Sequence, residues 1–337
     1  MIIRGAYEEH NNKVEPQWKQ RDFVSTIKSY INNSLQKILI VSGLRGTGKT
    51  TGVLQACACE SAIYYRAQLL NKDYDTQYTA SEIIEQLIND KHKIVILDEF
   101  TWFQDYSVIA KALPTLAENG KKIILTGTES LSLELLRSSS LIHRSQLVHT
   151  NYFSYDEYLR LNNLYDRKES TYEYLTLGGI FPKYAINNGF TMNEYIKDSI
   201  IDGIMKYFPK NNQDDIRAVI YTIFYDAVRR NDLPNVPLYK NAISSKELLE
   251  EFGIDADVKI TKDLFDKVSD VLLQIGVIIR VGNYKSNEEY RTYIVNPAIT
   301  SQMIKCIYKI ENLDDRLYGH IFEAMTVVKL REYYTDD

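Results

Sequence analysis

Residues Gly43-Leu44-Arg45-Gly46-Thr47-Gly48-Lys49-Thr50 follow directly on the apolar run Lys37-Ile38-Leu39-Ile40-Val41. A β-rich apolar run reads as a buried parallel strand. The glycines after it turn the chain into a helix, from about Thr51 to Cys59, whose free N–H groups face a phosphate. Gly43 and Gly48 supply backbone freedom and let main-chain amides approach an anion with no Cβ in the way. In such a loop Leu44, Arg45, Gly46, Thr47 and Thr51 line the phosphates. Lys49 is the residue expected to reach the β- and γ-phosphates, and the Thr50 hydroxyl sits on Mg²⁺.

Two further strands complete the expected site. Lys93-Ile94-Val95-Ile96-Leu97-Asp98-Glu99 is apolar and ends in two acids. Asp98 is the expected holder of the Mg²⁺ shell, and Glu99 the group that orients or deprotonates an attacking water. Lys122-Ile123-Ile124-Leu125-Thr126-Gly127-Thr128 ends in small hydroxyl residues. There a sensor of the γ-phosphate would sit, and Thr126 and Thr128 are both candidates. Ser61-Ala62-Ile63-Tyr64-Tyr65 and Gln146-Leu147-Val148-His149 read as two more strands. The fold class is therefore α/β, a P-loop parallel sheet with helices on both faces, over residues 37–150.

The 337 residues suffice for two or three domains, and a net charge of -5 leaves no global basic signal for nucleic acid. Three cysteines make no disulfide framework; Cys57 and Cys59 lie in one helix and read as buried thiols. No signal peptide or membrane-length apolar run is visible, so a cytoplasmic protein without membrane contact is expected. The 26 tyrosines, many beside Lys, Asn and Ile, read as a compositional bias.

Residues 1–36 read as a polar lead and an amphipathic helix striped by Phe23, Ile27, Tyr30 and Ile31. Residues 151–212 read as a helical lid or linker, interrupted by the turn Gly178-Gly179-Ile180-Phe181-Pro182. In residues 213–300, Ser244 to Gly253 reads as a short capped helix and Lys259 to Leu273 as a longer one. Val277–Val281 and Tyr290–Val295 then read as strands around a polar loop, Gly282 to Glu289. Helix, turn, helix and hairpin is the order of a winged helix. Duplex DNA contact would use Lys259, Lys262 and Lys285; the same helix carries Asp263, Asp266 and Asp270, and packing or protein contact fits that order equally. Leu313 to Tyr334 reads as a last helix with Leu317, Ile321, Phe322, Met325 and Leu330 on one stripe.

Together these segments resemble a family of bacterial and archaeal AAA-type ATPases. Its members join a P-loop module to a winged helix and a C-terminal domain of unknown function 4143, which looks like a restriction-endonuclease fold. Gly43 to Thr50 and Leu97-Asp98-Glu99 match its nucleotide motifs, although Leu44 and Gly46 replace commoner Pro and Gln. Arg4 and Tyr7 fall on an Arg-x-x-Tyr lead. Leu125-Thr126-Gly127-Thr128 is similar to a Leu-Thr-Gly-Ser signature, Phe153 to Tyr158 to a Leu-Ser-x-x-Glu-Phe segment, and the Gly178 to Pro182 turn to Gly-Gly-x-Pro. Gly319 with Phe322-Glu323 resembles the Gly-x-x-Phe-Glu that opens the nuclease-like part. The resemblance implies ATP and Mg²⁺ as ligands, Arg144 as an arginine finger or a sensor in cis, and assembly with further copies if the finger works in trans. It makes Glu323 the first acid of a nuclease site whose other members would lie past residue 337, so residues 301–337 read as an incomplete start and Glu323 as inert.

Two functions follow as expectations. One is an Mg-dependent ATPase whose nucleotide state controls the winged-helix and C-terminal module. The other is a DNA-associated regulator that holds ATP as a structural ligand with little turnover.

Overall fold

The run ahead of the glycine loop is a central strand. In the computed structural model, which describes residues 2–6, 19–58, 60–67, 79–103, 105–128, 130–139, 141–179, 191–208, 211–229, 258–283 and 286–335, the chain divides into two units, Met1–Asn151 and Tyr152–Asp337.

The first unit carries strands β1 (Ile2–Ala6), β2 (Ile38–Ser42), β3 (Ala62–Ala67), β4 (Ile94–Asp98), β5 (Lys122–Gly127) and β6 (Ser145–His149) in one six-stranded sheet of order β1-β3-β4-β5-β2-β6. The five strands from β3 to β6 in that order are parallel. Helices α1 (Phe23–Asn33), α2 (Lys49–Ala56), α3 (Ala80–Asn89), α4 (Tyr106–Glu118) and α5 (Ser130–Ser139) join or flank them. Because side chains alternate along a strand, each strand serves both faces. Ile38, Ile40, Val95, Leu97, Ile123 and Leu125 meet Ile83 and Leu87 of α3, Ile109 and Leu113 of α4 and Leu133 of α5. Leu39, Val41, Tyr64, Ile96 and Ile124 meet Val24, Ile27 and Tyr30 of α1 and Val53 and Leu54 of α2. The face that carries α2 is therefore the face on which the site is built.

β1 corrects the reading of residues 1–36 as a polar lead and helix. Ile2–Ala6 pairs antiparallel with β3, Ile2 opposite Ala67 and Ala6 opposite Ile63. Five residues are too short a run to show a period of their own; the partner strand makes the element. α1 is anchored by Tyr30, whose buried hydroxyl lies 2.5 Å from the Lys37 carbonyl and 3.1 Å from that of Ile123. Lys122 Nζ donates to the carbonyls of Tyr30 (2.6 Å) and Ile31 (2.5 Å), covering the open end of α1. Cys57 is buried at the end of α2, and burial pushes its thiol up to about 12, which makes it inert.

The second unit holds α6 (Tyr155–Asn162), α7 (Lys168–Leu177), α8 (Met192–Tyr195) continuing through a π-helical turn (Ile196–Ile201) into α9 (Asp202–Met205), α10 (Gln213–Arg229) and α11 (Lys262–Gln274). The hairpin β7 (Ile278–Asn283) and β8 (Ser286–Ile294) follows, then α12 (Pro297–Tyr308) and α13 (Asp315–Thr335). Ser154 Oγ accepts from Glu157 N at 3.1 Å to start α6, and Asn296 caps α12 ahead of Pro297. The helix expected over Ser244 to Gly253 and the turn residues Ile180 to Pro182 lie outside the described residues. The polar loop expected at 282–289 is mostly strand: β8 begins at Ser286, and the register shifts between Gly282 and Asn283. On α13 the stripe is narrower than expected. Leu317, Ile321 and Met325 pack with Tyr158, Tyr174 and Ile304, whereas Phe322 and Leu330 are exposed, because they lie about 100° and about 180° round the helix from Ile321. Among the described residues no helix is long and apolar enough to cross a membrane.

Tyr30→Phe deletes the hydroxyl without a change of volume. It is expected to cost about 1 kcal/mol in urea unfolding, and an unchanged midpoint would mean that the α1 tether carries no stability.

Candidate phosphate-loop site

The loop is shaped by what surrounds Gly43. Its φ is 147°, and a Cβ there would fall 2.2 Å from Thr150 Oγ1 and 2.3 Å from the Thr150 carbonyl. Only glycine fits. Thr150 stands there because it continues β6: its N–H donates to the Ser42 carbonyl at 2.8 Å. The Thr47 and Thr150 hydroxyls lie 2.8 Å apart and reach the carbonyls of Leu44 (2.8 Å) and Ser42 (3.0 Å), so two protons serve three contacts. Gly46 and Gly48 take φ of 83° and 80°, and α2 starts at Lys49 with no side chain capping its first turn. An uncapped helix start with a glycine ahead of it is a fit for an anion. Arg45 is exposed, Leu44 is buried, and Thr51 is half-buried on the first turn of α2.

Lys49 is nearly fully buried, and its Nζ donates to the carbonyls of Gly43 and Leu44, each at 2.8 Å. Burial pushes its pKa down to about 8, against the pull of Glu99 and Asp98, with Arg45 adding to the fall.

Asp98 closes the far side. Its carboxylate is fully buried, and Oδ1 accepts from Thr50 Oγ1 at 2.9 Å and from Thr126 Oγ1. Oδ2 accepts from the Tyr64 hydroxyl, and Arg66 Nε lies 3.6 Å from it. The parallel register sets Arg66 beside Asp98. Burial first, then the charge of Asp98, raises the Tyr64 phenol well above its ordinary range. Glu99 follows at φ 54°, a strained position for a residue with a side chain. Its N–H donates to Thr126 Oγ1 (3.2 Å), and its Oε2 accepts from Thr128 Oγ1 (3.1 Å) and Thr128 N (3.3 Å). The two threonines thus divide the work: Thr126 is buried against Asp98, and Thr128 holds the Glu99 carboxylate.

A family model described as an AAA domain matches residues 35–159. The matched stretch contains the glycine loop, both acids and the two threonines described above. Among solved structures the chain is similar to a Walker-type ATPase of Pyrococcus abyssi, at 16% identity and a TM-score of 0.47 over 85% of this chain and 96% of that one. It is also similar to the replication initiator DnaA bound to AMPPCP and single-stranded DNA, at 16% identity and a TM-score of 0.41 over 94% and 98% of the two chains. A third is an S. cerevisiae Hsp104–ADP complex, at 12% identity and a TM-score of 0.40, where the match spans 98% of this chain and 54% of the other. No curated protein matches the sequence.

Within the first unit the structure brings together Gly43 to Thr50, Asp98, Glu99, Thr126 and Thr128. It does not bring Arg144 to them. Ser145 pairs with Ile38 and His149 with Ser42, so Arg144 precedes the strand-start edge while the loop leaves the strand-end edge. The length of β6 separates them, about 16 Å at ~3.3 Å per residue. Arg144 instead faces Glu118 at 4.0 Å, both exposed. In the second unit, Lys262 opens α11 exposed, Lys259 donates its backbone N–H to Asp215 at 2.7 Å, and Lys285 lies outside the described residues.

Sequence reasoning missed several contributors. Arg21 Nη1 donates to the carbonyls of Thr47 (2.6 Å) and Asn151 (2.9 Å), and Phe23 beside it packs so closely on Gly52 that a Cβ there would meet the ring at 2.5 Å. Ser42 Oγ lies 2.7 Å from His149 Nδ1, whose Nε2 is 3.3 Å from Glu134. No motif marks these. Tyr64 and Arg66 had a signal, since a buried strand whose last turn of alternation carries a phenol and a cation sits beside the strand ending in Asp98.

The Lys49 shift has a sign that can be measured. Its pKa is near 8 folded against an ordinary 10.5, so the unfolded chain binds more protons between those values and stability rises with pH across that window. The wild type is therefore expected to gain stability in urea unfolding as pH rises from about 8 to 10.5, and Lys49→Met to lack that gain. Parallel urea curves at pH 7 and pH 10 would contradict this.

Proposed function

We propose that the AAA domain binds ATP with Mg²⁺ and hydrolyses it, and that its nucleotide state controls the second unit. The observation that carries this reading is the pair of neighbouring acids with different settings. Asp98 is buried and bonded to Thr50 of the loop helix, while Glu99 is held at the rim by Thr128.

The glycine-rich turn and the uncapped start of α2 receive the phosphates, and Lys49 exchanges its two carbonyl acceptors for phosphate oxygens. Thr50 and Asp98 would hold Mg²⁺, which when bound neutralises charge on the β- and γ-phosphate oxygens. Glu99 orients and deprotonates the attacking water, and Thr128 fixes its carboxylate beforehand. Thr126 keeps Asp98 and the Glu99 backbone in register. Arg144, remote from its own loop, acts on the nucleotide of a neighbouring copy in a homo-oligomer. In the second unit we assign α10, α11 and the β7–β8 hairpin to a winged helix that contacts duplex DNA through Lys259, Lys262 and Lys285. Glu323 accepts from Arg291 at 3.0 Å and serves as an ion-pair partner.

Lys49→Ala is expected to abolish ATP binding. Glu99→Gln should bind ATP normally and turn it over 10²-fold or more slower, about the worth of a general base. Hydrolysis by Glu99→Gln at the wild-type rate would remove Glu99 from the chemistry. A gel shift of duplex DNA with and without ATP reads the winged-helix assignment; no shift in either condition contradicts it.

A further inference from the structure

A carboxylate offers about four acceptor directions; at Asp98 three are hydrogen-bonded from within the chain and a cation faces the carboxylate besides. Thr50 and Thr126 hold Oδ1, and Tyr64 and Arg66 face Oδ2. The four are not held alike. Tyr64 and Thr126 are buried, and Thr50 sits on the first turn of α2. Arg66 is different: half of its side chain is exposed, its Nε stands at 3.6 Å, beyond a good hydrogen bond, and it carries a charge.

We propose, resting on the ATP-hydrolysing reading above, that Arg66 is a positioning residue that competes with the divalent cation for Asp98 and so sets how much cation the site requires. Two effects act in the same direction. The guanidinium stands 3.6 Å from Oδ2 of the carboxylate that would hold the ion, and so takes up part of its acceptor capacity. Its charge also repels a second cation brought to the same carboxylate. Its half-exposed side chain has room to move, unlike the buried hydroxyls of Tyr64 and Thr126, which the sheet fixes. Arg66 lies on β3, in register with Asp98 on β4, so the competition is built into the strand pairing. The ion pair is half solvated, which keeps its worth small; it adjusts the cation demand without closing the site.

The test is Mn²⁺ binding to the full chain with a non-hydrolysable ATP analogue, followed by electron paramagnetic resonance, beside the half-saturating Mg²⁺ for ATP hydrolysis. Arg66→Gln should bind Mn²⁺ about two- to fivefold tighter than the wild type and shift the Mg²⁺ half-point down by the same factor. Arg66→Lys, which keeps the charge, should stay near the wild type. Unchanged or weaker Mn²⁺ binding by Arg66→Gln overturns the competition. A wild-type chain that takes up no Mn²⁺ with the nucleotide analogue overturns the nucleotide reading itself, and that result is visible before any variant is made.

Discussion

One buried carboxylate joins four separate segments of the chain. Asp98 at the end of β4 receives Thr50 from the loop helix, Thr126 from β5, and Tyr64 and Arg66 from β3. A carboxylate taken out of water is costly unless its oxygens are matched by donors. Here the matching donors come from the strands on either side and from the helix above. Moving any of these elements would therefore strand a charge, and this fixes the relative position of the loop and the two acids. Removing the carboxylate is expected to be felt by the fold as well as by the chemistry.

Around that node the loop is held under load. Gly43 passes so close to Thr150 that no side chain fits, Glu99 adopts a left-handed backbone, and Lys49 is buried against two carbonyls. Each of these is unfavourable in isolation and is supported by neighbours: Thr150 by the Ser42 carbonyl, Glu99 by Thr126 and Thr128, Lys49 by the two acids nearby. Strain of this kind persists where a site must be preorganised for a ligand. The resistance of the surrounding sheet, packed on both faces, makes that possible.

Much of the first unit was legible in the sequence because its signals are local. Ile38 to Val41, Ile94 to Leu97 and Ile123 to Leu125 are continuous apolar runs, as strands buried on both faces must be. The glycine spacing and the two acids then label the edge where the site lies. β1 was not legible, since Ile2 to Ala6 gains its hydrogen bonds only from β3. Arg21 escaped for the same reason: its meaning lies in partners distant along the chain. Arg144 is a different case. The resemblance left it open as an arginine finger or a sensor in cis, and strand register sets it at the far edge of the sheet from its own loop. In the second unit, Phe322 and Leu330 were read onto one apolar stripe with Ile321, and helical phase turns them outward.

The most direct measurement is ATP turnover by Asp98→Asn, read together with its unfolding midpoint. If Asp98 is the shared node of fold and chemistry, turnover falls by about 10²-fold or more and the midpoint drops with it, because an amide cannot accept all the donors that converge there. Turnover at the wild-type rate, with the fold intact, would contradict the role of this carboxylate at the centre of the site.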